Sequence, residues 1–556
     1  MYPRTTGLFL ALLFFISHLF SANSVKDFLT VAETSGYSRT SSHEEVMNLV
    51  QRLQASSSRV RVIHMATSTE GRMIPLVVVS RDGIASPGSM RPDNRSCVLI
   101  NANIHAGEVE GKAAALMLIR DLALSSTDNL LQDQVLLIVP DFNPDGNDRF
   151  GRNRGDNGPE LAGIRANAQN LDLNRDFLKL ESPEVRGLVR VLRHWDPVLF
   201  VDLHTTNGSY HREPITFTTL SNPNSDPALR NYMWKTMFPA VQETLKREYG
   251  YDSVPYGNFR DRSQPQKGWA NHAFGALYST NYVGLRNRFT ILDENYSHAD
   301  FRTRVLSCHA FLRAVITHTA KHLPQMRRMA DEADSRTVNA FPRSEFVLDY
   351  EVVPLLDFVL KSYRFEITPI PPEEKSKYPP WYGDSIVRPT DEYRDYPLKY
   401  YADTRATRTR TLPRAYLLEP AFRDSAQLLQ SHGLVVEKTD LDMEMEVEIF
   451  SLSRVEIKPD LFQGHAPIRV EGEYKTETRR IPAGTWWISL RQPLARLVPE
   501  LLEPDAAHGL LQWGHFTRVI QRQWSNRPGD YPVMRVKKIP PGLSRMVTGT
   551  DPPPLP

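Results

Sequence analysis

Four side chains in this sequence are of the types that bind a metal or move a proton. His105 and Glu108 lie in "NANIHAGEVEGK", His204 in "PVLFVDLHTTNG" and Glu294 in "RFTILDENY". Two histidines and a carboxylate with a fourth position left open are a donor set for catalytic zinc. His-x-x-Glu alone is weak evidence, since it also arises by chance, and either residue equally suits a helix start or a solvated surface pair. Gly107 between them favours a loop, in which both side chains can turn towards one point. Position raises the set above chance: each of the three segments delivers its histidine or glutamate at the end of an uninterrupted apolar run.

Those runs must be the elements that position the four residues. "CVLINA", "QVLLIVP", "PVLFVDL" and "RFTILD" are continuous Val/Ile/Leu stretches, which suit strands covered on both faces, and helical patterns separate them. "HEEVMNLVQRLQ" has helical spacing, and "RVRVIHMA" and "MIPLVVVS" flank the turn "STEGR". The fold class expected is α/β, a mixed, mostly parallel sheet flanked by helices, over residues 25–335. In such sheets ligands bind beyond the carboxyl ends of the strands. "QVLLIVP" runs instead into "DFNPDG", a turn.

The chain has 556 residues, which suggests two or three domains. A formal net charge of +2 offers no field for nucleic acid, so a small molecule or a peptide is the expected partner. Residues 1–24, with Arg4 and an apolar stretch from Leu8 to Phe20, read as a signal peptide cut near Ala22 or Ser24, with an uncleaved anchor as the alternative. The stretch falls short of the ~20 residues a membrane span needs. A secreted or periplasmic protein with no transmembrane segment after signal removal is expected; oligomeric state is not legible. Cys97 and Cys308 are too few for a disulfide framework and read as two separately buried thiols.

Residues 336–410 are proline- and tyrosine-rich and read as an extended connection. Residues 411–556 read as a smaller, mixed, β-leaning C-terminal domain. "PRAYLLEPAFRDSAQLLQSHGLVVEK" suggests strand, helix and strand with Gly433 ending the helix, and "LDMEMEVEI" alternates as a strand with one wet face. The tryptophans of "AGTWWISL" and "HGLLQWGHF" suit a buried core better than a glycan-binding face. The tail "DPPPLP" is expected to lack structure.

"HAGEVEGK", "NPDG", "NLDLNRDF", "DLHTTNG" and "ILDEN", in that order, resemble the zinc carboxypeptidase family of metallopeptidases, over roughly Val46 to Thr319. The resemblance implies that His105, Glu108 and His204 hold one zinc per chain and that Glu294 is the general base. Asp293 is a rival that strand alternation should point to the opposite side. It further implies that Asn174 and Arg175 hold the substrate's terminal carboxylate, that Asp172 orients the first zinc histidine, and that an upstream arginine polarises the scissile carbonyl. Arg165 is preferred there over Arg149, Arg152 and Arg154. Tyr278 and Tyr282 are both candidates for the family's substrate-capping tyrosine, and either is also explained by packing. The bottom of the specificity pocket has no assignable residue. The expected activity is a metallocarboxypeptidase that hydrolyses the C-terminal peptide bond with a water activated on zinc. The alternatives are a zinc amidase or endopeptidase acting on cell-wall or acyl-amino-acid substrates, and a non-catalytic peptide-binding protein.

Overall fold

The computed structural model describes residues 24–93, 95–125, 129–153, 157–340, 342–378, 382–521, 528–539 and 547–549. Residues 1–23 of the segment read as a signal peptide, Arg154 and the "DPPPLP" tail lie outside the described residues. An eight-stranded sheet forms the larger unit, in the spatial order Val60–Thr67, Met73–Val79, Gln134–Val139, Ser96–Ala102, Leu199–Thr206, Phe289–Tyr296, Ile215–Thr218 and Ser253–Pro255. The four central strands are those of the apolar runs, and they pair in parallel. The outer strands join them antiparallel, so the sheet is mixed.

Continuous apolar sequence is required because both faces are covered. Val98 and Ile100 pack with the helices His43–Ser56, Glu110–Leu124 and Phe301–Ala340, while Cys97 and Leu99 face helix Pro183–Trp195. That second core is continuous with Tyr416, Leu418, Trp486 and Ile488 of the C-terminal domain, so the two units share buried apolar surface. Both thiols are buried and free. Cys97 donates to the Trp195 carbonyl and Cys308 to Asp293 Oδ2, at 3.1 and 3.3 Å.

Two boundaries differ from expectation. Helix Phe301–Ala340 runs through residue 335, so no domain ends there. The segment 336–410 is not a connection: Glu345–Pro369 and Ser385–Thr411 form a long antiparallel hairpin, paired from Glu345↔Thr411 to Pro369↔Ser385 with several register shifts along it. Tyr396, Leu398, Tyr400 and Ala402 recur at period two and bury against Trp269 and Leu360, while Pro397, Lys399 and Tyr401 between them stay partly or fully exposed. Tyr400 and Tyr401 also pair in parallel with Trp269 and Ala270, which stitches the hairpin to the larger unit.

The C-terminal domain carries strand Ala415–Leu418, helix Arg423–Ser431 and strand Glu437–Thr439, with Gly433 at φ +91° just past the helix. Met443–Ile457 buries Met445, Val447 and Ile449 and exposes Glu444 and Glu446. Trp486, Trp487 and Trp513 are buried. Among the described residues no helix is long and apolar enough to cross a membrane.

Candidate active site

His105 and Glu108 sit in the loop between strand Ser96–Ala102 and helix Glu110–Leu124. The strand ends as Asn103 enters the left-handed region at φ +66°, its amide donating to Asp141 Oδ1 and Asn147 Oδ1 at 2.7 and 3.0 Å. Gly107 is needed for close approach: a Cβ there would stand 2.8 Å from the Gly163 carbonyl, and one on Gly163 would stand 2.5 Å from that of Gly146. Three motif loops therefore pack backbone to backbone. The "NPDG" loop is pinned in turn by Asp145, which accepts from Ser68 Oγ at 2.7 Å and from the Glu70 amide at 3.0 Å, both in the "STEGR" turn.

The parallel pairing of Leu199–Thr206 with Phe289–Tyr296 sets Glu294 beside His204. His105, Glu108 and His204 are all about 3% exposed, which removes the surface-pair reading, and their donor atoms lie within 4.8 Å of one another. The Nδ1 atoms of the two histidines are 3.1 Å apart, and each is 3.1 Å from a Glu108 oxygen. On the far side of each ring, Nε2 meets a carboxylate: His105 with Asp172 Oδ1 at 2.9 Å, His204 with Asp202 Oδ2 at 3.0 Å. Those carboxylates hold the Nε2 protons and turn both Nδ1 lone pairs inward. Two lone pairs and a carboxylate converging on one buried point repel unless a cation lies between them, so the donor set fits zinc.

Electrostatics around this point are uneven. Burial raises the Asp172 carboxyl, but the His105 hydrogen bond and the charges of Arg175 and Arg165 outweigh it and hold the group well below the usual carboxylate range. Burial pushes Glu294 upward, and Glu108 adds to the rise. The Glu294 carboxylate lines the cavity with no hydrogen-bond partner among the described residues. Asp293, by contrast, points away to Cys308 and Asn295, and burial pushes its pKa up to about 8. The alternation of the strand separates the two acids as expected.

The cavity over these residues has a volume of about 310 Å³ and is also lined by Arg165, Asn174, Arg175 and Tyr278. Arg165 donates from Nε to Asp172 Oδ2 at 2.9 Å and from Nη1 to Glu108 Oε1 at 3.1 Å. Arg149 is paired with Glu70, and Arg152 is exposed on a short strand, so neither rival lines the cavity. Asn174 Oδ1 accepts from the Ser279 amide at 2.8 Å, and the Arg175 guanidinium stacks 4.5 Å over the Tyr278 ring. Tyr282 is a correction. It lies one helical turn beyond Tyr278, is fully buried, and its hydroxyl meets His432 Nδ1 at 2.8 Å, so it joins the two domains and does not reach the cavity.

Several residues at the site escaped the sequence reading. Asp202 precedes His204 by two strand positions and so shares its face, a signal that was available. Tyr256, His272, Thr280 and Leu292 also line the cavity, and no motif marks them. Gln463 belongs to the C-terminal domain, yet its Oε1 accepts the Asp172 backbone N–H at 2.8 Å. A small bridge, Phe462 to His465, carries it, and His465 meets Glu181 at 2.6 Å. Gln463→Ala removes this acceptor from the residue that orients His105 and Arg165. One hydrogen bond of about 1 kcal/mol is at stake, so kcat/KM should fall roughly 3- to 10-fold. Steady-state kinetics beside a thermal melt check this; an unchanged kcat/KM would deny Gln463 a positioning role.

Residues 46–290 match the zinc carboxypeptidase family. Glu294 lies just past that stretch, so its place rests on its register with His204. The chain is 23% identical over 526 residues to carboxypeptidase 2 of Trichophyton rubrum, covering 91% of this chain and 87% of that protein. It has the same identity and coverage with carboxypeptidase 2 of Trichophyton tonsurans. Among solved structures, a metallo-carboxypeptidase from Pseudomonas aeruginosa is similar at TM-score 0.39 and 22% identity, over 52% of this chain and 70% of that one. Carboxypeptidase A of Helicoverpa armigera is similar at TM-score 0.38 and 18% identity, over 53% and 75%.

Proposed function

We propose, for a chain whose residues 46–290 match the zinc carboxypeptidase family, a metallocarboxypeptidase that removes the C-terminal residue of peptide substrates. The observation that carries the reading is one cavity holding both the convergent His105, Glu108 and His204 donors and the Arg175 guanidinium. The first group suits hydrolysis of an amide and the second suits a terminal carboxylate. His105, Glu108 and His204 would hold one zinc per chain. Zinc bound there supplies Lewis acidity, drawing charge from a carbonyl and lowering the pKa of a water to about 7.

The chain's own residues do the rest. Arg175, a planar fork stacked on Tyr278, receives the substrate's free carboxylate, with Asn174 beside it. Glu294 takes a proton from the attacking water and hands it to the leaving amine. Arg165, fixed by Asp172 and Glu108, presents its remaining N–H groups to the carbonyl oxygen as negative charge develops, a contribution often of about 3 kcal/mol per donor. Asp172 and Asp202 keep the two imidazoles in the tautomer that faces inward. Tyr278, beside Arg175 in the cavity wall, caps the substrate. The apolar stretch Leu8 to Phe20 supports secretion or periplasmic export.

Product identity tests the proposal. A linear peptide with a free C-terminus should lose single residues in succession from that end, read by mass spectrometry over time. Internal fragments in place of that ladder would make the enzyme an endopeptidase or amidase.

A further inference from the structure

A second cavity, of about 660 Å³, is roughly twice the volume of the catalytic one, and His272 lines both. Its walls are the loop Asn258–Gln264 and residues Tyr382–Val387 near the turn of the long hairpin. Strand pairing fixes the two walls to each other, since Asn258 and Phe259 pair with Ala270 and Trp269, and these pair with the hairpin at Tyr401 and Tyr400. The larger cavity is therefore a built feature of the hairpin's docking.

Its charges are unequal in an informative way. The two acids on its wall are already engaged: Asp261 accepts from Lys267 Nζ and Ser263 Oγ at 2.7 and 2.6 Å, and Asp384 is paired with Lys375. Lys267 and Ser263 hold the Asp261 carboxyl down at about 2. The two arginines have no carboxylate partner among the described residues. Arg260 lies 3.9 Å over the Tyr401 ring, and Arg262 is half-buried against the same wall. A guanidinium with five N–H donors and no acid engaging it is a receptor for a carboxylate.

Geometry names the source of that carboxylate, on the reading of the enzyme as a carboxypeptidase. A substrate whose terminus is held at Arg175 goes no further in that direction, so the chain on the amino side of the scissile bond must leave the catalytic cavity elsewhere. The adjoining space past His272 is large enough for several residues. We propose that this second cavity is the site for the upstream part of the peptide and that Arg262 selects an acidic side chain there, making peptides with an acidic residue shortly before the C-terminus the preferred substrates.

The experiment uses the full-length enzyme and peptides that share their last two residues. Glutamate, glutamine or lysine is placed at each upstream position in turn, and kcat/KM is measured for the wild type and for Arg262→Glu. At one or two positions glutamate should exceed glutamine by about tenfold and lysine by more, an advantage that shrinks with added salt, and Arg262→Glu should invert the order. An N-acylated dipeptide, too short to reach the second cavity, should be cleaved equally by both proteins, which shows that the variant is folded. Equal cleavage of the three peptides at every position overturns the inference, as does a glutamate preference that survives in the variant. Failure to release a residue from any peptide, the dipeptide included, overturns the carboxypeptidase reading itself.

Discussion

Glu294→Gln should lower kcat by about 100-fold or more while KM and zinc content stay close to those of the wild type. The amide keeps the shape and volume of the side chain and loses only the ability to take a proton. Glu294 is the one acid that lines the cavity without a hydrogen-bond partner among the described residues, whereas Glu108 is bound to both histidines and Asp293 faces away. His105→Ala is the contrasting variant. It leaves two of three donors, which hold zinc poorly, so metal and activity should go together. Elemental analysis beside kinetics separates the two cases. Loss of metal from Glu294→Gln would mean that ligand and base have been exchanged.

Arg175→Ala should lower kcat/KM on peptides with a free C-terminus by about 2–4 kcal/mol, or roughly 30- to 1,000-fold, with zinc content unchanged. The guanidinium lines the cavity, and among the described residues its hydrogen-bond, ion-pair and ring contacts are the Asn174 carbonyl at 3.0 Å, Asp172 at 3.8 Å and the Tyr278 face, with His508 close enough to feel its charge. Most of its donors are thus left for substrate. A charge-assisted, two-pronged pair in a partly dry cavity is among the stronger polar contacts. Its removal also strands the substrate's carboxylate without a partner. Arg175→Lys should recover only part of the loss, because a point charge does not match the carboxylate fork. A fall confined to zinc content, with kcat/KM per bound zinc preserved, would contradict the assignment.

The parts legible in the sequence are those set by local period and strand geometry. Val98, Ile100 and their neighbours are buried on both faces, so the run is apolar throughout, and the loop after it carries His105 and Glu108. Parallel pairing then places His204 and Glu294 side by side, which is why strand ends pointed to residues that the fold gathers in one cavity. The parts that were missed depend on contacts between distant segments. Tyr278 and Tyr282 are equivalent by spacing, and only His432, from the other domain, decides that Tyr282 is structural. Gln463 carries no motif because it acts through a single hydrogen bond to a backbone amide. The hairpin at 345–411 was obscured because its buried tyrosines alternate with charged residues, and prolines break the pattern further. A composition average over that stretch reports polarity, whereas the period-two subset Tyr396, Leu398 and Tyr400 reports a strand.

The central claim, that one cavity hydrolyses an amide and reads a free C-terminus, is tested most directly by one pair of substrates. The same peptide is prepared as the free acid and as the C-terminal amide, and kcat/KM is measured for the wild type and for Arg175→Ala. The wild type should lose about 30-fold or more on the amide, and the variant should lose little further, because both changes remove the same ion pair. Equal cleavage of acid and amide by the wild type would contradict the account, since an enzyme indifferent to the terminal charge is not a carboxypeptidase.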